Sequence, residues 1–377
     1  MNPICPCCKS QLVVKNIFNN LPTSSAMLDI TPSFEPLTAR FDAGICNHCK
    51  HITNESETRF DFTYSDARYV LKSAVSNTMN KNLQLIIDFI VQGRTDFTGF
   101  SVMEIGSGAG EVANWFANQG ASVTTVDPAI VGYEDDRITH HKIILDESAH
   151  DHIDTKFDLI IGRHIIEHTN DPGAFLDVCR SFLNPTGQLY LEVPNLVNTL
   201  ISHRLVDFFN DHIQYFTFHS MELIAGRRGF AIKESSYWLN GAHMGVLLQQ
   251  DFVKFTDKHP VAIDIKEELK VSRTVFNQVL KCIEDADRVA IYGAGAHACT
   301  FISQLPNYLK DKITHVFDKS DSKHNRYLPG LAVPITSPSK ELIQGHDLIV
   351  NTSSLYTQEV EKYIANDLEC NTPIVHL

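Results

Sequence analysis

The chain has 377 residues, of which 43% are hydrophobic, and this is enough material for two or three domains with apolar cores. Its 32 basic and 45 acidic residues give a formal net charge of -13, which opposes non-specific binding to nucleic acid or to an anionic membrane. The start of the chain, MNPICPCCKS, has no cationic segment followed by an apolar stretch, and no apolar run approaches the length of a membrane span. We therefore expect a cytoplasmic protein with neither a nucleic acid nor a membrane as partner.

Cysteines dominate the first predicted domain, residues 1–62. Two CxxC pairs lie 37 residues apart, and each lets two thiolates point at one ion from a tight turn. Because an odd number of cysteines in a reducing compartment favours metal binding over disulfides, the pairs predict a closed, structural zinc site. Unrelated buried or reactive cysteines are the alternative. The predicted ligands are Cys5, Cys8, Cys46 and Cys49, with Cys7, His48 and His51 as possible substitutes.

The second predicted domain, residues 63–255, alternates short apolar strands with helical patterns, as in a parallel sheet with crossover helices. FSVMEIGSGAG predicts a strand that runs into a glycine loop, and a helix, EVANWFANQG, follows. The glycines let the backbone approach a ligand closely at a helix N-terminus. The next strand ends in Asp127, and an acid at that place can bind both hydroxyls of a ribose. These features suit either NAD or S-adenosylmethionine (SAM).

The later segments of this domain distinguish the two cofactors. IILDES predicts a third strand ending in an acid, KFDLIIG a fourth strand, GAFLDVCRSFLNP a helix, and GQLYLEVPN a fifth strand. This series, with an acid before a GxGxG loop, resembles the class I SAM-dependent methyltransferases. The resemblance implies that Glu104 and the glycine loop hold the methionine part, Asp127 the ribose and Asp146 the adenine. The candidate cofactor-binding residues are Glu104, Gly106, Ser107, Gly108, Gly110, Asp127, Pro128 and Asp146.

The third predicted domain, residues 256–377, begins with a long helical pattern. RVAIYGAGAHA then predicts a strand, a small-residue turn and a helix, and ITHVFDKSD a second strand that ends at Asp318. This is a Rossmann-like unit whose turn can cradle a diphosphate. A Rossmann-like scaffold that binds no nucleotide is the equal alternative.

The whole chain resembles the SAM-dependent sugar C-methyltransferases of deoxysugar pathways, and the paired CxxC motifs and KHNRYLPGLAVPITSP carry this resemblance. It implies an α/β protein in which a class I methyltransferase Rossmann-like domain is flanked by a small N-terminal zinc-binding domain and a C-terminal Rossmann-like domain. It also implies methylation of a carbon beside a keto group on a nucleotide-linked sugar, held between the central and flanking domains. The family's Tyr-His-Glu-His motif is replaced here by Phe209, Asn210, Asp211 and His212.

The segment FFNDHIQYF supplies the candidate base. A carbon nucleophile requires removal of a proton beside a carbonyl group, and a neutral histidine, with a reference pKa of about 6.5, suits that task. We predict that His212 is the general base and that Asp211 orients it across a turn, since adjacent side chains on a strand diverge. The alternative is that His212 caps or packs before a helix over 219–228. Tyr215 and Tyr64 are candidates to line the sugar site. The candidate catalytic residues are His212, Asp211, Tyr215, Tyr64 and His164.

Further residues are candidates for ligand contact. His164, Glu167 and His168 follow the fourth strand at the ligand-binding end of the sheet, although both histidines are also candidates to cap the next helix. Arg204, Lys323 and Arg326 are candidates for phosphate contact, and the alternative is that they are solvated surface charges. Two other functions are compatible with the sequence: an O- or N-methyltransferase of a sugar or other small polar metabolite, and a noncatalytic nucleotide-sugar-binding protein.

Overall fold

Three β-sheets organise the chain in a computed structural model that describes residues 3–25, 27–56, 77–129, 135–251 and 262–377. A four-stranded sheet lies in the N-terminal part, a seven-stranded sheet in the centre and a five-stranded sheet at the C-terminal end. The predicted α/β class with two Rossmann-like sheets is confirmed. The predicted domain limits, at residues 62/63 and 255/256, lie outside the described residues.

The N-terminal sheet takes its last strand from the segment that contains FFNDHIQYF. Its strands pair antiparallel in the order β1-β2-β3-β9, and Ile52 lies opposite Tyr215 in the last pair. A strand from the range predicted for the central domain therefore completes the N-terminal sheet. The four strands are β1 (Leu12–Pro22), β2 (Thr38–Cys46), β3 (Ile52–Asn54) and β9 (Gln214–Tyr215).

The central sheet has the order β10-β11-β8-β7-β4-β5-β6, with five parallel strands and an antiparallel hairpin at one edge. The chain order reverses between β4 and β7, so the loops after these two strands open into one crevice, where open α/β sheets bind ligands. The strands are β4 (Ser101–Ile105), β5 (Ser122–Val126), β6 (Ile138–His141), β7 (Phe157–Arg163), β8 (Leu183–Pro194), β10 (Phe230–Trp238) and β11 (His243–Gln250).

Helices cover both faces of the central sheet, which is why its inner strands are nearly continuous apolar runs. Ile86 and Phe116 belong to the core on one face, and Leu176 and Met221 belong to the core on the other. No helix in the described part of the chain is long and apolar enough to cross a membrane. The helices are α1 (Asn77–Val91), α2 (Glu111–Asn118), α3 (Pro172–Phe182), α4 (Leu196–Ile201) and α5 (Phe218–Arg227).

The predicted third strand was wrong. The third strand of the central sheet is Ile138–His141, whereas IILDES forms a turn that leads into a short 3-10 helix, Glu147–Asp151. The Asp146 carboxylate accepts a hydrogen bond from Ser148 N at 2.9 Å and caps that helix. Such local bonds from an aspartate favour a turn over a strand, and they leave Ile144 exposed.

The alternative that histidines cap helices was also wrong. Asp171 caps α3, where its carboxylate accepts from Gly173 N and Ala174 N at 2.9 and 3.0 Å. Thr217 caps α5. Short oxygen-bearing side chains suit the cap geometry better than an imidazole ring. His164, His168 and His212 therefore have no capping role at these helices.

The C-terminal sheet is wholly parallel, in the order β14-β13-β12-β15-β16. Its helices share one apolar core with the N-terminal sheet, in which Phe18 and Phe41 join Phe276 and Phe301. The strands are β12 (Val289–Tyr292), β13 (Ile313–Phe317), β14 (Ile335–Thr336), β15 (Leu348–Asn351) and β16 (Ile374–His376). The helices are α6 (Ile265–Asp285), α7 (Ala296–Ser303), α8 (Asn307–Lys310), α9 (Lys340–Ile343) and α10 (Thr357–Lys362).

Thr217 links helix α5 to the N-terminal domain, and we expect its loss to destabilise both. Its buried hydroxyl accepts from Ser220 N at 3.1 Å and donates to Cys49 O at 2.9 Å. Thr217→Ala should lower the free energy of unfolding by about 1–3 kcal/mol, because a cap is lost and buried polar groups lose their partner. Thr217→Ser, which keeps the hydroxyl, should lose less than half as much in urea unfolding. Equal stability of the alanine variant and the parent would refute this linkage.

Candidate functional site

The glycine loop after β4 lies directly against the loop after β7. Gly106, Gly108 and Gly110 have φ angles of 66°, 54° and 77°, a region that favours glycine. A Cβ atom on Gly106 would lie 2.1 Å from the Cδ1 atom of Ile165, so a larger residue would displace the Ile165 side chain. The two loops therefore form opposite walls of the crevice at the carboxyl ends of the strands.

Two carboxylates flank this loop. Glu104 is buried, and its Oε2 accepts from Ala113 N in helix α2 at 2.9 Å; burial raises the pKa of Glu104 to about 8. Asp127 Oδ2 accepts from Gly108 N at 3.1 Å, and its Oδ1 accepts from Ala129 N at 2.8 Å. The buried hydroxyl of Ser107 has no hydrogen-bond partner among the described residues. A glycine-lined wall, an acid at a strand end and an orphaned hydroxyl together suit a small polar cofactor such as SAM.

The other two candidate cofactor residues lie near this wall but are placed differently. Pro128 is half-buried beside Asp127. Asp146 uses its carboxylate to cap the short 3-10 helix that follows it. The predicted contact of Asp146 with adenine and the predicted part of Pro128 in the cofactor site stay predictions.

The predicted turn around His212 is present. His212 N donates to Phe209 O at 3.2 Å, and the Tyr215 hydroxyl donates to Phe209 O at 2.9 Å and accepts from Phe209 N at 2.7 Å. Asp211 points toward the N-terminal domain, where its Oδ2 accepts from Ser25 N and Ser25 Oγ at 3.2 and 2.9 Å. The Tyr215 hydroxyl thus closes the turn, and its predicted contact with a sugar stays a prediction. Tyr64 lies outside the described residues.

A second group of side chains converges on His212. Acceptor or donor atoms of Glu167, His168 and His212 all lie within 4.8 Å of one another. His168 Nδ1 donates to Asp211 O at 2.7 Å, and the rings of His168 and His212 are 4.6 Å apart and nearly perpendicular. Glu167 is completely buried. The loop after β7 and the turn over residues 209–212, which we call the histidine turn, therefore form one cluster.

His164 begins a neighbouring cluster and has a φ angle of 55°. Its Nδ1 lies 3.2 Å from Glu167 Oε1, and its Nε2 lies 3.6 Å from Glu192 Oε1. Burial lowers the pKa of His164, but the bonds to the two carboxylates outweigh it and the net direction is upward. His164 therefore touches acids within the protein, and its predicted contact with a ligand stays a prediction.

Glu192 is the buried centre of this cluster. Arg163 Nε lies 2.6 Å from its Oε2, and His243 Nδ1 lies 3.2 Å from its Oε1. Burial raises the pKa of Glu192, but the charge of Arg163 and the bonds from the histidines hold it well below its usual range. An ionised, fully paired carboxylate thus stands at the ends of β7 and β8.

A third cluster links the C-terminal glycine turn, residues 293–295 after β12, to the histidine turn. Asp207 Oδ2 accepts from Arg204 Nε at 2.9 Å, and its Oδ1 lies 3.0 Å from His297 Nε2. Burial raises the pKa of Asp207, but His297 and Arg204 hold it below its usual value. The His297 ring is stacked on Phe209 at 5.8 Å. Arg204 is therefore a buried, paired cation rather than a solvated one.

The C-terminal glycine turn closes in a similar way. Asp318 Oδ2 accepts from Ala294 N at 2.8 Å and from Lys323 Nζ at 2.7 Å. A Cβ atom on Gly293 would lie 2.2 Å from Ser353 Oγ, so the turn packs against the loop after β15. Lys323 is thus already paired, and Arg326 is half-buried. The predicted phosphate contacts of Arg204, Lys323 and Arg326 stay predictions.

The four predicted cysteine ligands come together. Their sulfur atoms all lie within 4.8 Å of one another, with Cys5 Sγ 3.6 Å from Cys49 Sγ and Cys8 Sγ 3.3 Å from Cys46 Sγ. Two sulfurs bound to one tetrahedral zinc at about 2.3 Å are separated by roughly 3.8 Å, so the set fits this ion. His51 Nε2 donates instead to Gln214 Oε1 at 2.8 Å.

Several members of these clusters are not predicted from the sequence, namely Arg163, Glu192, Asp207, His243 and His297. One signal was available for Glu192, because a carboxylate inside the apolar strand LYLEVP needs a charged partner. Arg163 occupies the paired position on β7, opposite Glu192. His243 on β11 reaches Glu192, and His297 on α7 reaches Asp207, so these two contacts join distant segments and no local pattern indicates them.

Comparison with known sequences finds methyltransferase families over the parts of the chain that form the central and C-terminal sheets. Residues 75–235 match the family described as a methyltransferase domain, and residues 257–362 match the family described as a C-methyltransferase C-terminal domain. The C-methyltransferase NovU of Streptomyces niveus is 24% identical over 81% of this chain and 77% of its own length. The ubiquinone biosynthesis O-methyltransferase of Pasteurella multocida is 27% identical over 29% of this chain and 53% of its own length.

Solved structures of similar fold include a magnesium protoporphyrin IX methyltransferase from Synechocystis with bound S-adenosylhomocysteine. It is 16% identical, covers 48% of this chain and 90% of its own chain, and has a TM-score of 0.36. The match to the methyltransferase domain family supports SAM as the cofactor. The chain is an enzyme, a SAM-dependent methyltransferase.

Proposed function

We propose that this SAM-dependent methyltransferase transfers the methyl group to a carbon beside the keto group of a nucleotide-linked deoxysugar, with His212 as the general base. The observation that carries the proposal is the position of His212. The turn that bears His212 lies beside Glu167 and His168 on the loop after β7. The same loop also contributes Ile165, which packs on Gly106. A base at this place is close to the wall that we assign to the cofactor.

The surroundings of the turn support a substrate shared between domains. Asn210 Nδ2 donates to Leu21 O at 2.9 Å in the N-terminal sheet, while Phe209 is stacked on His297 of the C-terminal domain. All three parts of the chain therefore meet at the turn. A long ligand such as a nucleotide-linked sugar can reach more than one of them, and NovU, a C-methyltransferase, matches across 81% of this chain.

The proposed chemistry needs one proton transfer. Bound SAM supplies a methyl group on a sulfonium, which is already a good leaving group. We propose that Asp127 binds the ribose and that Glu104 and the glycine loop hold the methionine part. His212 removes the proton from the carbon beside the keto group, and the electron pair of the broken C–H bond forms the new C–CH₃ bond. S-adenosylhomocysteine leaves, and His212 then releases its proton to solvent.

We also propose a structural zinc ion at the four-cysteine cluster. Four thiolates complete a tetrahedral shell and leave no open position for a substrate, so the ion stabilises the fold. Cys46 is the last residue of β2, and the Cys49 carbonyl accepts from Thr217, so the ion would brace both the N-terminal sheet and helix α5.

Zinc content tests this assignment. One zinc should co-purify per chain, and its removal should unfold the N-terminal domain more than it weakens SAM binding, because a structural site contributes folding energy directly. Elemental analysis and thermal unfolding with and without a chelator measure the two effects. Cys282→Ser, which replaces the exposed cysteine outside the cluster, is the matched control for Cys49→Ser. Metal-free protein with four titratable thiols would rule out the site.

The role of Asp127 predicts weaker cofactor binding on its removal. Asp127→Ala should weaken SAM binding by roughly 1–3 kcal/mol, because charge-assisted hydrogen bonds to the ribose are lost. Isothermal titration calorimetry measures this change. Asp146→Ala is an informative companion, since the Asp146 carboxylate is used to cap a helix. An unchanged affinity of the Asp127 variant would show that the ribose binds elsewhere.

The role of His212 predicts loss of chemistry without loss of cofactor. His212→Ala should bind SAM normally and transfer methyl groups roughly 10²–10⁴-fold more slowly, the usual scale for one acid–base group. In D₂O with S-adenosylhomocysteine, the parent should exchange the proton beside the keto group of its nucleotide-linked sugar, and the variant should not. His152→Ala, at an exposed histidine in another loop, is the control.

The exchange experiment also distinguishes the chemical alternatives. Methylation with no exchange of the ring proton would indicate an oxygen or nitrogen acceptor. Normal turnover by the His212 variant would show that this histidine has no part in the reaction.

A further inference from the structure

We infer that Glu167, rather than the adjacent Asp211, is the carboxylate that positions His212 and stabilises its protonated form. The inference rests on the proposed role of His212 as the base. Asp211 Oδ2 accepts two hydrogen bonds from Ser25 of the N-terminal domain, and its Oδ1 is buried with no hydrogen-bond partner among the described residues. The group of atoms that lie within 4.8 Å of one another at His212 contains Glu167 and His168 but not Asp211, in the part of the chain that the structure describes. The carboxylate on the other side of the turn is Glu167, in the short 3-10 helix Ile166–His168 after β7.

Glu167 is available to His212 through one oxygen. The residue is fully buried, and its Oε1 lies 3.2 Å from His164 Nδ1. Its Oε2 is buried and has no hydrogen-bond partner within the ranges that the structure describes. A charged side chain is buried only where a partner compensates it, and a carboxylate oxygen of Glu167 lies within 4.8 Å of a ring nitrogen of His212. We assign to this pair an interaction that strengthens during function.

The main chain holds the two residues at this separation. Ile213 N donates to Glu167 O at 2.7 Å, and Gln214 Nε2 donates to Thr169 O at 3.1 Å. The backbone of Ile213, the residue after His212, is therefore hydrogen-bonded directly to the backbone of Glu167. This fixed pairing of backbones means that a change of side chain at Glu167 alters the charge near His212 without releasing the turn.

The interaction strengthens during the reaction. When His212 takes the proton from the substrate carbon, it becomes a cation, and a nearby carboxylate stabilises a cation in a site of low dielectric. The proton stays on His212 until solvent removes it. His168 is already a donor to Asp211 O through Nδ1, so it holds the turn in place.

Other charged or titratable groups also surround His212, and the experiment has to separate them. Among the described residues they include His168 and Glu167 on the loop after β7, Asp211 and Tyr215 on the turn itself, and the Asp207–His297 pair across Phe209. The variants chosen below change only carboxylates, one at a time.

The first measurement needs no substrate. In the full-length zinc-bound chain, NMR of ¹³C-labelled histidines follows the His212 signal, assigned by its loss in His212→Gln. Loss of a nearby negative charge should lower the pKa of His212 by about 1 unit in Glu167→Gln. Asp211→Asn should shift it by less than half as much. Glu167→Asp, which keeps the charge, should fall between the parent and the glutamine variant, and this order tests the inference even if Glu167→Gln is unstable.

The second measurement follows activity against pH. The acidic limb of ring-proton exchange, measured on the nucleotide-linked keto-deoxysugar that the parent turns over, should move to lower pH in Glu167→Gln by the same amount. The plateau rate should fall about 10- to 100-fold, because a less basic histidine removes the proton more slowly. The SAM dissociation constant should stay unchanged.

The outcomes separate this inference from the proposed function. An unmoved limb and an unmoved NMR titration in Glu167→Gln, or a larger shift in Asp211→Asn, would overturn the role of Glu167 while leaving His212 as the base. Undiminished exchange by His212→Ala would overturn the base assignment itself, and the role of Glu167 in catalysis with it.

Discussion

The antiparallel pairing of β3 with β9 is the contact on which the candidate site depends. It is short, with Ile52 opposite Tyr215, yet it carries the histidine turn into the N-terminal sheet. The Tyr215 hydroxyl then closes the turn through the backbone of Phe209, and Asn210 donates to the backbone of the first two strands. The small N-terminal domain therefore serves to hold the turn at the ends of the central strands.

This anchoring gives a physical reason for the departure from the Tyr-His-Glu-His motif. Asn210 and Asp211 point toward the N-terminal domain and bind its backbone and Ser25, so short side chains are used as anchors. His212 keeps its place on the opposite side of the turn, facing the loop after β7. In our proposal, Glu167 from another loop takes the part beside His212 that the motif gives to its acid.

Charge pairing explains how a chain with a net charge of -13 buries several carboxylates around one crevice. Glu192 is compensated by Arg163 and two histidines, and Asp207 by Arg204 and His297. Burying each of these carboxylates without a partner would cost on the order of several kcal/mol. The same ion pairs occupy cations that could otherwise bind a diphosphate. Backbone amide groups are therefore the better candidates to bind a diphosphate.

The sequence by itself determined the features that depend on near neighbours: apolar strands alternating with helices, the glycine loop with Asp127, the paired CxxC motifs and the turn before Tyr215. Only the tertiary structure decided which side chains face one another. It moved the third strand to Ile138–His141, turned Asp211 toward Ser25, 186 residues away in sequence, and brought Glu167 to His212. Local periodicity reports which face of an element is buried, whereas the meeting of two loops depends on how the sheets pack, and no pattern within one segment records that packing.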